Sequence, residues 1–540
     1  MSGHFALILH AHLPFVRHPE HEHFLEEEWL FEAITETYIP LLQMMQRLTH
    51  DGVLFKLTTS ITPTLCAMLQ DQLLRERYVG HIELLIELAA RERRRNRKHP
   101  RLRELAEFYI DRFSETRRLF VDEWKCDLVS VIRELRQTGE LEIIASAATH
   151  GLLPILQQQS PRAARAQVLI GRDVYVEIFG EEAAGFWLPE CGYAPGLESI
   201  LQEANLRWFI IDAHGVLLGT PRPCSSIYAP CYTPAGPAGF ARDPNASRQV
   251  WSADAGYPGD PVYREFYRDI GFDLPMKHLG PIARGTRKFS GMKYHRITGR
   301  GNEKQLYDRT AAENAAAQHA IHFLKKCQHQ IREIGELGFD PIIVAPFDAE
   351  LFGHWWFEGP IFLEQFIRHG ANERAFRLTT PSEYLLAHPT QQIVEPAAST
   401  WGEDGHLAVW INPTNDWIYP QLNAAAQKMI ELAEQTSAVV GQPLRLPGER
   451  VAGEAPALQF ADRVLKQLAR ELLLAQSSDW AFLMKTGTAR EYATRRSVDH
   501  LARFNRLHDQ FVTNTLDEEF LRDCEWRDNI FPNVNWRYYA

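Results

Sequence analysis

Cysteine is sparse and unpatterned in this chain. Seven residues (Cys66, Cys126, Cys191, Cys224, Cys231, Cys327 and Cys524) stand apart with no C-x-x-C pair, and an odd number argues against a disulfide framework. No apolar run approaches the roughly 20 residues of a membrane span. Met1 leads into Phe5-Ala-Leu-Ile-Leu9 without the basic leader and long apolar stretch of a secretory signal. A cytoplasmic protein with no membrane partner is the expectation. Also missing are G-x-x-x-x-G-K-[ST], a G-x-G-x-x-G after a strand, G-x-S-x-G and H-E-x-x-H, which removes the commoner nucleotide, serine-hydrolase and zincin chemistries. Repeats and low-complexity tails are absent. So is a surplus of basic charge: 58 Lys and Arg against 69 Asp and Glu leave a net −11, and no nucleic-acid partner is expected. The one basic run, Arg91 to Arg103, contains acids and reads as a solvated helix face.

What is present is core-forming material in a regular order. The chain has 540 residues, 45% of them apolar, enough for a large core and a further domain. Short apolar runs at residues 5–10, 53–58, 141–146, 185–188, 208–211, 342–345 and 376–379 read as strands. Helical periodicity fills 26–48, 72–95, 101–139, 161–179 and 311–335 between them, which implies a parallel sheet. Chemically able side chains collect at the strand ends: His10 and His12, His150, Glu190, Asp212 and His214, then Asp348. Catalytic groups spread over several strand ends are the mark of a (β/α) barrel, whereas a doubly wound sheet gathers them at one switch point. The expected division is a barrel from 1–190 and 262–400, a Pro/Gly-rich lid inserted at 191–261, and a helical domain at 401–540. A Pro/Gly-rich stretch at 441–456 joins two helices of that last domain.

Two segments carry the chemistry. Gly185-Phe-Trp-Leu-Pro-Glu-Cys-Gly-Tyr193 and Pro346-Phe-Asp-Ala-Glu-Leu-Phe-Gly-His-Trp-Trp-Phe-Glu358 each set a carboxylate among aromatic rings after an apolar run. Glycosidic bond chemistry needs such a pair, one group attacking or stabilising the sugar cation and the other shuttling a proton. Asp348 shares its loop with Glu350, so either could be the acid, and Phe347, Phe352, Trp355 and Trp356 would desolvate it and raise its pKa. His10-x-His12 has two readings: a zinc pair, as in metal hydrolases, or imidazoles that hydrogen-bond sugar hydroxyls. No H-x-x-x-H or tight Asp/His cluster supplies further ligands, so sugar binding ranks first. Trp401-Gly-Glu-Asp-Gly405 and Trp410 offer a stacking platform.

Taken together these residues resemble glycoside hydrolase family 57 over nearly the whole chain. Leu9-His-Ala-His-Leu-Pro14, Thr149-His-Gly-Leu-Leu-Pro154, Gly185 to Tyr193, Ala345 to Trp356 and Trp401 to Gly405 are similar to its five ordered signatures. Within the family the chain looks most like the 1,4-α-glucan branching enzymes of glycogen biosynthesis. Tyr263-Arg-Glu-Phe-Tyr-Arg-Asp-Ile-Gly271, the Trp401/Trp410 spacing and Ser478-Asp-Trp480 are of that type. The resemblance implies an α/β fold: a distorted (β/α)7 barrel with a small inserted lid domain and an α-helical C-terminal domain. It implies a retaining mechanism on an α-glucan such as amylose or a glycogen-like polysaccharide, with no metal and no organic cofactor. Glu190 would be the nucleophile and Asp348 the acid/base. His10, His12 and His150 would line the donor site, and Arg264, Trp401, Trp410 and Asp479 would contact glucan.

Three positions depart from the type. Phe272 stands where a Trp is usual, Thr488 where a glucan-binding glutamine is expected, and Pro237-Ala-Gly-Phe240 at the expected lid tip, where a closing tyrosine would sit. Tyr228 or Tyr232 would have to substitute. The alternatives are α-glucan hydrolysis or 4-α-glucanotransfer on the same site, a metal-dependent polysaccharide deacetylase using His10 and His12, and a glucan-binding protein without turnover. A monomer or weak oligomer is expected.

Overall fold

A computed structural model describes residues 3–252, 255–372, 376–440 and 454–540. Nine strands form one sheet: β1 (Gly3–Ala11), β2 (Leu57–Ile61), β3 (Leu141–Ser146), β4 (Gly185–Trp187), β5 (Trp208–Ile211), β6 (Cys231–Tyr232), β7 (Ala238–Ala241), β8 (Ile342–Asp348) and β9 (Phe376–Leu378). The order is β6-β7-β5-β4-β3-β2-β1-β8, with β9 beside the start of β1. Every pairing is parallel except β6 with β7. Across the gap between the outer strands, Asp243 N–H, just past β7, donates to the Val344 carbonyl of β8 at 2.8 Å. The seven parallel strands β7, β5, β4, β3, β2, β1 and β8 thus curve into a distorted barrel.

Strands buried on both faces explain the unbroken apolar runs: β1 reads GHFALILHA and β8 IIVAPFD, with Phe5, Ala6, Ile8, Ile343 and Ala345 fully buried. The helices around them follow local signals closely. The helix Gln72–Arg95 starts where the Asp71 carboxylate accepts from Leu74 N–H, and Pro161–Phe179 stops at Gly180 with φ 77°. The stretch read as one helix from 26 is broken by a π-helical turn, Ile34–Tyr38, which points Tyr38 toward the barrel mouth.

The segment 191–261, expected as an inserted lid, instead supplies β5, β6 and β7 to the sheet. Pro237-Ala-Gly-Phe240 is not a loop tip: Ala238 to Ala241 is an inner strand paired with β5 over its length. Gly239 fits because Phe209 of β5 fills the space beside it, 3.3 Å from where a Cβ would stand. The chain leaves the sheet after β7 and returns with the helix Arg309–Gly335, so the excursion is 242–308.

The C-terminal part is helical: Ile418–Val440, Glu454–Ala475, Ser478–Thr486, Arg490–Val512 and Glu518–Arg527. The Pro/Gly-rich stretch 441–456 lies outside the described residues as far as 453. This part is fastened to the barrel by Arg165 Nη1, which donates to the Tyr538 carbonyl at 2.8 Å, and by Arg17, which donates to the carbonyls of Trp526 and Arg527. No helix among the described residues is long and apolar enough to cross a membrane.

Candidate active site

The carboxyl ends of β1, β3 and β4 meet the first turn of the helix Ser478–Thr486. Glu190 follows β4 in a left-handed conformation (φ 61°, ψ 24°), and His150 (φ 56°) and Cys191 (φ 48°) are left-handed as well. Such a conformation costs a non-glycine residue of order 1 kcal/mol, and three together mark a site held by its surroundings. Each Glu190 oxygen has its own donor: Trp401 Nε1 reaches Oε2 at 2.9 Å and Ser478 Oγ reaches Oε1 at 3.1 Å. The Trp401 N–H also donates to the Glu190 carbonyl at 3.0 Å. Burial raises the Glu190 pKa above the ordinary carboxylate value, and the two donors hold that rise in check.

Asp348 ends β8, directly across the ladder from His10. Among the described residues none donates a hydrogen bond to its carboxyl. Burial first, then the charges of Glu350 and Glu190, push its pKa well above the ordinary range, against a weaker pull from Arg242. Glu350, two residues on, accepts from Tyr38 Oη at 2.5 Å and from the His12 N–H at 3.2 Å, and burial pushes it up to about 7. Two carboxyls in one pocket with unlike surroundings, one hydrogen-bonded and one not, is the arrangement that separates a nucleophile from a proton carrier.

The three histidines come together as a stack. His10 lies on Trp187 with ring centres 4.2 Å apart, and His12 on His150 at 3.8 Å. In this arrangement the ring nitrogens have protein partners or are enclosed. His10 Nε2 and His150 Nε2 are 3.1 Å apart, His150 Nδ1 is 2.9 Å from Ser478 Oγ, and His12 bonds Thr62 through Nδ1 and Asp479 through Nε2. His10 Nδ1 is buried with no partner. Burial, then the neighbouring imidazoles, keeps His10 and His150 neutral well below their usual pKa. Burial also opposes charge on His12, but Asp479 at 3.0 Å outweighs it and raises that pKa.

Other expected residues fall differently. Arg264 is not at the dyad: its side chain, 1% exposed, pairs with Glu36 at 2.8 Å and lies over the Phe357 ring at 3.8 Å. The guanidinium is used up inside the protein. Trp410 is 1% exposed beneath Gly402, where an added Cβ would come within 2.6 Å of its ring, so it is a core residue and not a stacking surface. Trp401 is partly buried, edge-on to Trp187 at 5.1 Å. Asp479 reaches the site through His12, and Phe272 and Thr488 are exposed. Asp212 pairs with His214 at 2.9 Å and Arg242 at 3.0 Å.

Arg242, Tyr38 and Thr62 were not singled out from sequence, and Ser478 only as part of the Ser478-Asp-Trp480 segment, without a role. Arg242 had a usable signal, a charged residue directly after a strand, but that strand was unrecognised. Two groups among the described residues could ligate a metal ion: His12, His150 and Asp479 at the site, and Glu471, His500 and Asp528 inside the helical domain. In the first, His12 and Asp479 already pair with each other at 3.0 Å. In the second, Arg503 and Arg496 already offset the carboxylates, Arg503 lying 2.7 Å from Asp528.

The chain is similar to known proteins in sequence and in fold. The model of glycosyl hydrolase family 57 matches residues 6–397, and that of the 1,4-alpha-glucan branching enzyme C-terminal domain matches 448–539. A crystal structure titled as the alpha-amylase AmyC from Thermotoga maritima superposes with a TM-score of 0.90 at 43% identity, covering 100% of this chain and 99% of that one. A branching enzyme of the same family from Pyrococcus horikoshii gives 0.87 at 33%, covering 100% and 97%. A 1,4-alpha-glucan branching enzyme of Thermococcus kodakarensis is 34% identical over 99% of this chain and 78% of its own length. With its barrel and its helical domain each matched in turn, the chain belongs to glycosyl hydrolase family 57.

Proposed function

We propose that this enzyme is a 1,4-α-glucan branching enzyme working by retaining transfer. Glu190 attacks the anomeric carbon of an α-1,4 linkage, the C1–O4 bond breaks, and the Asp348 proton goes to the departing O4. A glycosyl ester on Glu190 remains. The 6-hydroxyl of a glucan chain then attacks C1, its proton returns to Asp348, and the ester bond breaks to free Glu190. The sugar's configuration is inverted twice and so retained. The observation that carries this reading is the unlike treatment of the two carboxyls: two donors favour the ionised form of Glu190, while burial and two negative neighbours keep the proton on Asp348.

Transfer outruns hydrolysis only when water is kept from the ester. We assign the catalytic barrel to residues up to 241 and from 309 to 400, and cover of the site to the excursion 242–308 and the helical domain from 401. In this reading the substrate is an α-glucan such as amylose or glycogen-like polysaccharide, and the enzyme is a cytoplasmic monomer or weak oligomer working without a metal or organic cofactor.

A second reading, hydrolysis on the same site, is favoured by one observation: the Thermotoga relative at 43% identity is titled an alpha-amylase. Incubation with amylose followed by a debranching enzyme separates the two. New α-1,6 branch points, released as short linear chains, support transfer; reducing ends without branches would sink it.

A further inference from the structure

Resting on the reading of Glu190 as nucleophile, a chain of hydrogen bonds with a forced direction ends on that residue. A carboxylate oxygen can only accept, so the Ser478 hydroxyl spends its one hydrogen on Glu190 Oε1, 3.1 Å away. Ser478 Oγ must then accept from His150 Nδ1 at 2.9 Å, which puts the imidazole hydrogen on Nδ1 and leaves Nε2 a lone pair. His10 Nε2, 3.1 Å from that lone pair, has to donate, and His10 Nδ1 is left bare. That nitrogen is the buried one without a partner, as this tautomer requires. Both rings are neutral, as burial makes them.

We infer that Ser478 is a positioning residue for Glu190, and that His150 and His10 act on the nucleophile through its hydroxyl. The serine is held for this work. Its N–H donates to the His150 carbonyl at 3.1 Å, Gly151 and Ser477 form an antiparallel bridge, and the side chain is buried at the start of the helix Ser478–Thr486. His10 and His150 thereby serve the orientation of one carboxylate oxygen. The donor that completes this chain comes from the helical domain, not from the barrel.

The test is the pH dependence of kcat/KM on a soluble α-glucan for wild type, Ser478→Ala, Ser478→Cys and Ser478→Thr, beside Glu190→Gln. Ser478→Ala removes a donor that favours ionised Glu190, so kcat falls about tenfold or more with KM near wild type. The acid limb moves up by about one pH unit. Ser478→Cys, which keeps the volume but donates weakly, moves in the same direction by less, and Ser478→Thr restores both limb and rate. An unmoved acid limb in Ser478→Ala and Ser478→Cys overturns the inference, as does a Thr variant that melts like wild type yet is as impaired as Ala. Full turnover in Glu190→Gln would instead remove the nucleophile assignment, and the inference with it.

Discussion

Replacing Glu350 by Gln tests the proton carrier without touching it. After burial, the Glu350 charge is the largest influence holding the Asp348 pKa up. Glu350 itself is pushed up to about 7 by burial, so near neutrality its charge is only partly formed. Gln keeps the length and an oxygen to accept from Tyr38 Oη and the His12 N–H, while removing the charge. A like charge at close range raises a carboxyl by about 1–3 pH units. Glu350 is partly neutralised by its own burial, so the low end applies: a fall of about one unit in the Asp348 pKa, or about 1.4 kcal/mol. The sign follows from the role. Asp348 works protonated in the first step, so kcat/KM is lost as pH rises through its folded pKa, and lowering that pKa brings the loss earlier. In Glu350→Gln the basic limb moves acidward by about one unit, with about tenfold less activity well above neutrality and near wild-type activity on the acid side of the limb. A nitrophenyl maltooligosaccharide, whose leaving group needs no proton, serves as control and shows little basic limb in either protein. A basic limb that stays in place or moves alkaline in the variant refutes the assignment of the proton to Asp348 under Glu350's influence.

Trp401→Phe removes the Nε1–H that holds Glu190 Oε2, so kcat drops about tenfold or more, readable by steady-state kinetics on maltooligosaccharides. Gly353 has φ 120°, and an added Cβ would lie 1.9 Å from the Glu36 carbonyl; Gly353→Ala is expected to destabilise by about 2 kcal/mol or more, seen as an earlier thermal transition. Arg264→Met strips the partner from buried Glu36, a loss of about 3–5 kcal/mol that lowers the melting temperature while KM for glucan in the surviving fold stays near wild type. A rise in KM at unchanged melting temperature would return Arg264 to the substrate.

The readable parts of the sequence were those where neighbours in the chain decide the outcome. The helices Gln72–Arg95 and Pro161–Phe179 carry their own stops, Asp71 at one end and Gly180 at the other, and their limits match the expected ones. Glu190 follows one buried strand by three residues and Asp348 ends another, and strand ends in a parallel barrel converge whatever the intervening helices do. Where partners lie far apart in the chain, the residues gave no sign. Arg264 meets Glu36, 228 positions away, and an arginine among aromatic residues looks the same facing a sugar or a buried glutamate. Trp410 was read as a platform because its cover, Gly402, is a residue whose lack of a side chain is the whole signal. Strand β7 is Ala-Gly-Phe-Ala, with little β propensity of its own, and becomes a strand because β5 offers a paired edge. Ser478, one of two adjacent serines, owes its role entirely to His150 and Glu190, both more than 280 residues earlier.

The order in which the chain is made gives the docking of its last quarter a timing. Domains fold as they emerge, N-terminal first. A barrel complete through β9 would already hold Glu190, Asp348 and the histidine stack, but not the hydroxyl at 478 or the carboxylate at 479. A fastening to the barrel lies at residues 536–539, where Trp536 and Tyr539 are buried and the Tyr538 carbonyl accepts from Arg165. A barrel without the helical domain therefore holds Glu190 short of the Ser478 hydroxyl that fixes its Oε1.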